Sequence, residues 1–213
     1  MPADEKDVAR ITKVKDWNLF REVYDDLTFD QLQQINNGVY RKIPKQNCFH
    51  KARWNDMFDM ICENRKWTKV IELGCCQGFL ASKMLTDFQG IISWTGFDIM
   101  EGAIAEPVTD DSRYQGHALK TWWHDMKVKK KFDVFVSSHT IEHLNWDQAK
   151  KTFDLMKECS RYAALEIPIR PSWDDYCGSH VLTVTRKEIV DYISPARVLY
   201  EKTSGYWAIL LKL

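Results

Sequence analysis

The chain has 213 residues, 45% of them hydrophobic and 28% charged, which describes one globular domain with a small appendage and argues against wholesale disorder. Lys+Arg and Asp+Glu both number 30, so the formal net charge is zero and a general electrostatic grip on nucleic acid is not expected. No apolar run reaches the roughly 20 residues that span a bilayer, and the first residues lack the basic-then-apolar order of a secretory signal.

In chain order, Trp17, Leu19, Phe20, Val23, Tyr24 and Leu27 recur at helical spacing. Thr28 precedes a short capped helix over Phe29–Ile35, which Asn37-Gly38 ends. Val39–Gln46 is basic, contains Pro44 and reads as a loop. Phe49, Trp54, Met57, Phe58 and Ile61 mark a further amphipathic stretch. From Trp67 the pattern changes. Lys69–Leu73 is a short apolar strand, Phe79–Leu85 a helix, Ile91–Ile99 and Phe132–Ser137 strands. Trp146–Cys159 is a helix, Tyr162–Ile169 a strand and Thr185–Ile193 a helix. Val198–Lys202 and Tyr206–Leu213 are two closing strands joined by Ser204-Gly205, hence an antiparallel hairpin. Strands alternating with helices predict a mostly parallel sheet covered on both faces.

The six cysteines, Cys48, Cys62, Cys75, Cys76, Cys159 and Cys177, contain no C-x-x-C pair. Free thiols in a reducing, cytoplasmic setting are the expectation. Nine Trp, eight Tyr and ten Phe exceed what a small core needs, so some are expected to line a pocket or an interface.

The most informative segment runs Val70-Ile71-Glu72-Leu73-Gly74-Cys75-Cys76-Gln77-Gly78-Phe79. A buried strand enters a glycine-bearing turn and a helix follows. Glycine lets a ligand approach the main chain, and the helix start offers unpaired N–H groups. Asp98 ends the second strand, where a carboxylate can accept both hydroxyls of a ribose. On these residues the chain resembles the class I S-adenosylmethionine-dependent methyltransferases, whose first motif is an acid followed by three spaced glycines. Glu72, Gly74 and Gly78 match, and Cys76 stands where the middle glycine belongs. Trp122-Trp123-His124-Asp125, and Phe132–Ser138 followed by His139-Thr140-Ile141-Glu142-His143-Leu144, extend the resemblance over roughly Trp67 to Leu213.

The resemblance implies an α/β, Rossmann-like, seven-stranded, mostly parallel sheet with an antiparallel C-terminal hairpin. Residues 1–66 are then a helical extension or lid, and 67–213 the S-adenosylmethionine-binding domain. It implies that Glu72, Gly74, Cys75, Cys76 and Gly78 support the amino-acid end of S-adenosyl-L-methionine, and that Asp98 takes the ribose. Ile99 and Met100 then pack the adenine, His124 and Asp125 border its amine, and Ser138 and His139 lie near the methionine portion. His143 and His180 are the candidate catalytic groups, able to draw a proton from a hydroxyl; the plainer alternative for each is a hydrogen bond that holds a loop.

His139, Glu142 and His143 also fit H-x-x-E-H, a zinc-peptidase pattern that needs a helix to bring both histidines to one face. His139 ends a strand instead, so no metal is expected. Glu166 inside a strand needs a partner, for which Arg170 is at hand. Asp174 and Asp175 read as solvated, as does the basic run Lys127–Lys131. Arg41, Lys42, Lys45, Lys51 and Arg53, interleaved with aromatics, suit a phosphate, a sugar or a lid, or an ordinary amphipathic helix.

The leading expectation is methyl transfer to an oxygen or nitrogen of a small molecule, such as a sugar or other hydroxylated metabolite. Methylation of RNA or protein, and a non-catalytic partner that keeps the fold, are the alternatives. A nucleic-acid or membrane partner is not expected, and a homodimer is left open.

Overall fold

The computed structural model describes residues 2–40, 56–57, 59–61, 67–128, 131–168, 179–182, 185–203 and 206–213. The basic–aromatic stretch from Arg41 to Trp54 and the loop containing Arg170, Asp174 and Asp175 lie outside them.

Seven strands form one sheet in the order β3-β2-β1-β4-β5-β7-β6. The strands are β1 (Lys69–Leu73), β2 (Ser93–Asp98), β3 (Tyr114–Ala118), β4 (Phe132–Ser138), β5 (Ser160–Pro168), β6 (Arg197–Thr203) and β7 (Tyr206–Lys212). The first five are parallel, while β7 runs antiparallel between β5 and β6. The expected sheet and C-terminal hairpin are therefore present. Central β1 and β4 are short apolar runs because both of their faces are covered.

Helices cover those faces. On one face, α6 (Trp146–Cys159) and α7 (Arg186–Ile193) pack Ala149, Phe153, Met156, Ile189 and Ile193 against Phe135, Leu165 and Trp207. Both helices open on capping boxes, Asn145 with Gln148 and Thr185 with Glu188, which satisfy the first free N–H groups. On the other face, α4 (Phe79–Asp87) joins Met57, Met60 and Ile61 against Val70, Trp94, Val134 and Val136. The short α5 (Glu101–Ala105) follows β2. Among the described residues no helix is long and apolar enough to cross a membrane.

The N-terminal helices α1 (Glu5–Val14), α2 (Trp17–Val23) and α3 (Phe29–Tyr40) share a small core of their own around Val8, Ile11, Phe20, Tyr24 and Ile35. The sequence reading ends α3 at Asn37-Gly38, and the structure carries it to Tyr40. A Cβ on Gly38 would stand 2.2 Å from Thr12 Cγ2, so this glycine serves the close approach of α1 and not a stop. Strand β3 escapes the sequence reading because Tyr114–Ala118 is a half-exposed edge without an apolar run.

Glu72 shows what the covered faces do to a charge. Its side chain shares the α4 face of the sheet with Val70, and its carboxyl accepts a 2.8 Å hydrogen bond from Trp94 Nε1. Burial raises its pKa to about 8, against the lowering effect of the indole N–H. A folded value above the unfolded one lends stability that is complete below about pH 4.5 and lost as the pH rises through about 8. Thermal melts should therefore show wild type losing about 5 °C more than Glu72→Gln between about pH 5 and about pH 9. Parallel curves would show that Glu72 is ionised throughout.

Candidate active site at the strand tips

The strand order reverses between β1 and β4, and a crevice forms outside their carboxyl ends. A cleft of about 250 Å³ lies there, walled by the ends of β1, β2 and β4 and by α2 and α3.

The turn after β1 forms its floor. Gly74, Cys76 and Gly78 have φ of 77°, 48° and 80°. Side chains at the two glycines would collide with neighbours: a Cβ on Gly74 would stand 1.8 Å from Thr140 Oγ1, and one on Gly78 would meet the Tyr114 ring at 2.8 Å. The N–H groups of Gly74 and Cys75 donate to the Phe97 carbonyl, and Cys76 N–H donates to Asp98 Oδ2 at 2.7 Å. Asp98 Oδ1 accepts from Met100 N–H at 2.9 Å. Burial raises the Asp98 pKa, and the N–H groups of Met100, Cys76 and Ile99 oppose that rise. Each carboxylate oxygen keeps a further lone pair.

The opposite wall begins where β4 ends. His139 has φ of 52°, and its N–H donates to the Glu166 carbonyl. The His139 ring lies between two buried carboxylates, with Nδ1 3.5 Å from Glu142 Oε1 and Nε2 3.8 Å from Glu166 Oε2. Ser138 donates to Glu166 Oε2 at 2.5 Å, so Glu166 has a described partner other than Arg170. Burial works to raise the Glu142 pKa, and His139, His143 and His180 overcome it, leaving the carboxyl below its ordinary value. His143 and His180 meet edge-to-face with ring centroids 4.9 Å apart.

The N-terminal helices close the third side. Tyr24 donates from its hydroxyl to the His143 carbonyl at 2.7 Å. Gln33 Nε2 donates to the carbonyls of Ile99 and Leu119. Phe29 meets Trp122 edge-on, and Phe20, Leu32 and Asn36 line the cleft.

Of the residues singled out from sequence, Gly74, Cys76, Asp98, Ile99, Met100, His139 and His143 line this cleft. Cys75 and Gly78 shape the turn without lining the cleft, and Glu72 faces Trp94. Ser138 is turned to Glu166 and His180 stands behind His143. His124 is stacked on Trp122 with its pKa lowered, burial being the main cause. Asp125 is largely exposed, outside the lining, because its segment forms a 3-10 turn that puts Trp123 inward instead. Thr140, Leu144, Trp122 and Trp123 also line the cleft; they stand in the segments that carry the resemblance but had no role assigned there, and Ser179 was not singled out.

The left-handed turn makes two substitutions differ in sign. Cys76→Gly removes an unfavourable conformation and should stabilise the fold by about 1 kcal/mol, or about 2–4 °C in Tm. Gly74→Ala should cost about 2 kcal/mol or more, through both φ and the clash with Thr140. Thermal denaturation of the two variants measures this, and equal destabilisation by both would contradict the assigned turn.

The methyltransferase domain family matches residues 71–164. No curated protein sequence matches the chain significantly. Solved structures share the fold at low identity. The N-methyltransferase NodS of Bradyrhizobium japonicum, determined with S-adenosylhomocysteine, has 13% identity and a TM-score of 0.63, covering 86% of this chain and 95% of that one. A Haloferax volcanii methyltransferase in complex with the Trm112 activator has 10% identity and a TM-score of 0.64, covering 79% and 93%. Magnesium protoporphyrin IX methyltransferase of Synechocystis, with bound S-adenosylhomocysteine, has 13% identity and a TM-score of 0.57, covering 96% and 97%. Residues 71–164 thus match the methyltransferase domain family, and the sheet that surrounds them has the fold of these methyltransferases.

Proposed function

We propose that the chain is an S-adenosylmethionine-dependent methyltransferase acting on a small molecule. The observation that carries this reading is the floor of the cleft. The side-chain-free turn at Gly74 stands beside Asp98, whose buried carboxylate is followed by Ile99 and Met100.

In this reading the turn from Gly74 to Gly78 supports the amino-acid end of the methyl donor. Asp98 accepts the ribose hydroxyls, and Ile99 and Met100 flank the adenine. When bound, S-adenosylmethionine supplies an electrophilic methyl carbon. Placement of the acceptor in line with that carbon supplies much of the rate. His143, at the far wall, contacts the acceptor. Helices α1–α3 form a lid that excludes water, tied to the site through Tyr24 and Gln33. The small cleft and the neutral charge favour a small acceptor over a nucleic acid.

Isothermal titration with S-adenosylmethionine and S-adenosylhomocysteine tests the reading. Wild type should bind with micromolar affinity, and Asp98→Asn should weaken binding by about tenfold or more, about 1.4 kcal/mol. Failure of folded wild type to bind either compound would overturn it.

A further inference from the structure

Three groups from two separate segments converge behind the acceptor wall. Glu142 and His143 come from the 3-10 turn after β4, and His180 comes from the segment that precedes α7. One carboxylate oxygen of Glu142 and one ring nitrogen from each histidine lie within 4.8 Å of one another. Neither the turn nor His180 alone makes this set. Backbone bonds hold the two segments together, since Val181 and Leu182 N–H both donate to the Glu142 carbonyl.

Glu142 is the second observation. It is 3% exposed, and among the described residues only imidazoles approach its carboxylate, none at close hydrogen-bonding distance. Its nearest imidazole contacts are 3.5 Å to His139 and 3.9 Å to His180, the distances of charge contacts. A buried carboxylate held only by such long contacts is costly in a folded chain. A cation between it and the two imidazoles would satisfy both the charge and the lone pairs.

The outer arrangement fits as well. His143 Nδ1 lies 3.2 Å from the Ser179 carbonyl and 3.1 Å from the Ser179 hydroxyl. Donation to that carbonyl places the proton on Nδ1 and leaves Nε2 as the lone-pair nitrogen, which is how metal-binding histidines are commonly oriented. The zinc-peptidase reading of His139-x-x-Glu142-His143 fails because His139 ends β4 in a left-handed conformation. The fold replaces His139 by His180 as the third group.

We propose that Glu142, His143 and His180 bind a divalent first-row transition metal cation, which holds an oxygen atom of the acceptor in the cleft. Two imidazoles and one carboxylate suit zinc, manganese, cobalt or iron(II) better than magnesium, which prefers oxygen donors. Three protein ligands leave coordination positions open. His143 and Ser179 line the cleft while Glu142 and His180 stand behind them, so the open side faces the acceptor space. A hydroxyl coordinated there is acidified and oriented at once. This deepens the methyltransferase reading by naming oxygen as the methylated atom and rests on that reading for the cation's role. The cation site itself rests only on the geometry of the three groups.

The test begins with the full chain stripped by a chelator and titrated with Co²⁺, followed by visible absorption. Wild type should take up one Co²⁺ per chain, displaced by Zn²⁺ and undisturbed by excess Mg²⁺. Glu142→Gln and His180→Asn should each weaken uptake by about tenfold or more. Neither residue lines the cleft, so both variants should keep the S-adenosylhomocysteine affinity of wild type. Should Glu142→Gln fail to fold, His180→Asn carries the comparison. Co²⁺ uptake by wild type no greater than by His180→Asn would overturn the proposal, and would mean that Glu142 is balanced by the imidazoles alone. Loss of S-adenosylhomocysteine binding in wild type would instead refute the methyl-donor reading and leave the cation site standing.

Discussion

The backbone between Leu73 and Phe79 must turn out of a buried parallel strand and into a helix without filling the space above the sheet. It does so with three residues in the left-handed region, two of them glycines. Its N–H groups reach across to the tip of β2, where the Phe97 carbonyl and the Asp98 carboxylate accept them. This one set of bonds joins two strand ends, fixes the Asp98 side chain and leaves the cleft open. Thr140 and Tyr114 close on the places where side chains would otherwise stand. The positions of Ile99, Met100 and the far wall follow from it.

A second constraint is charge. Four acids, Glu72, Asp98, Glu142 and Glu166, are buried in or at the tips of the central strands. Each is accommodated differently. Glu72 is held toward its neutral form by burial. Asp98 is held by backbone N–H groups, Glu166 has the Ser138 hydroxyl, and Glu142 faces imidazoles. The concentration of histidines after β4 thus belongs to the same electrostatic problem as the acids. A carboxylate surrounded by imidazoles suits simple charge balance and cation binding alike, and the long contacts of Glu142 among the described residues favour the second.

Much of the fold was legible because the covered elements carry strong patterns. The strand at Lys69–Leu73 and the helix at Trp146–Cys159 have the bounds that periodicity predicts. Edges were less legible. Strand β3 alternates only weakly, and its pairing to β2 is decided by the sheet and not by its own residues. Gly38 carries the signature of a helix stop, yet its environment is another helix. Local rules read a glycine's freedom and cannot see what packs against it.

The strand–turn–helix floor is written in the chain, because a glycine-bearing turn and an acid at the next strand tip are local chemistry with a readable spacing. So is the alternation of strands and helices that makes the sheet mostly parallel. Which of those residues share a cleft depends on how the elements pack in space. Glu72 and Leu73 are neighbours in the chain, and the pleat sends Leu73 to the cleft and Glu72 to Trp94. His143 and His180 are far apart in sequence, and the fold brings their rings together. Helices α2 and α3 bear no motif, and they reach the site because their apolar faces dock over the strand tips. Such contacts depend on distances through space, which no spacing along a single chain encodes.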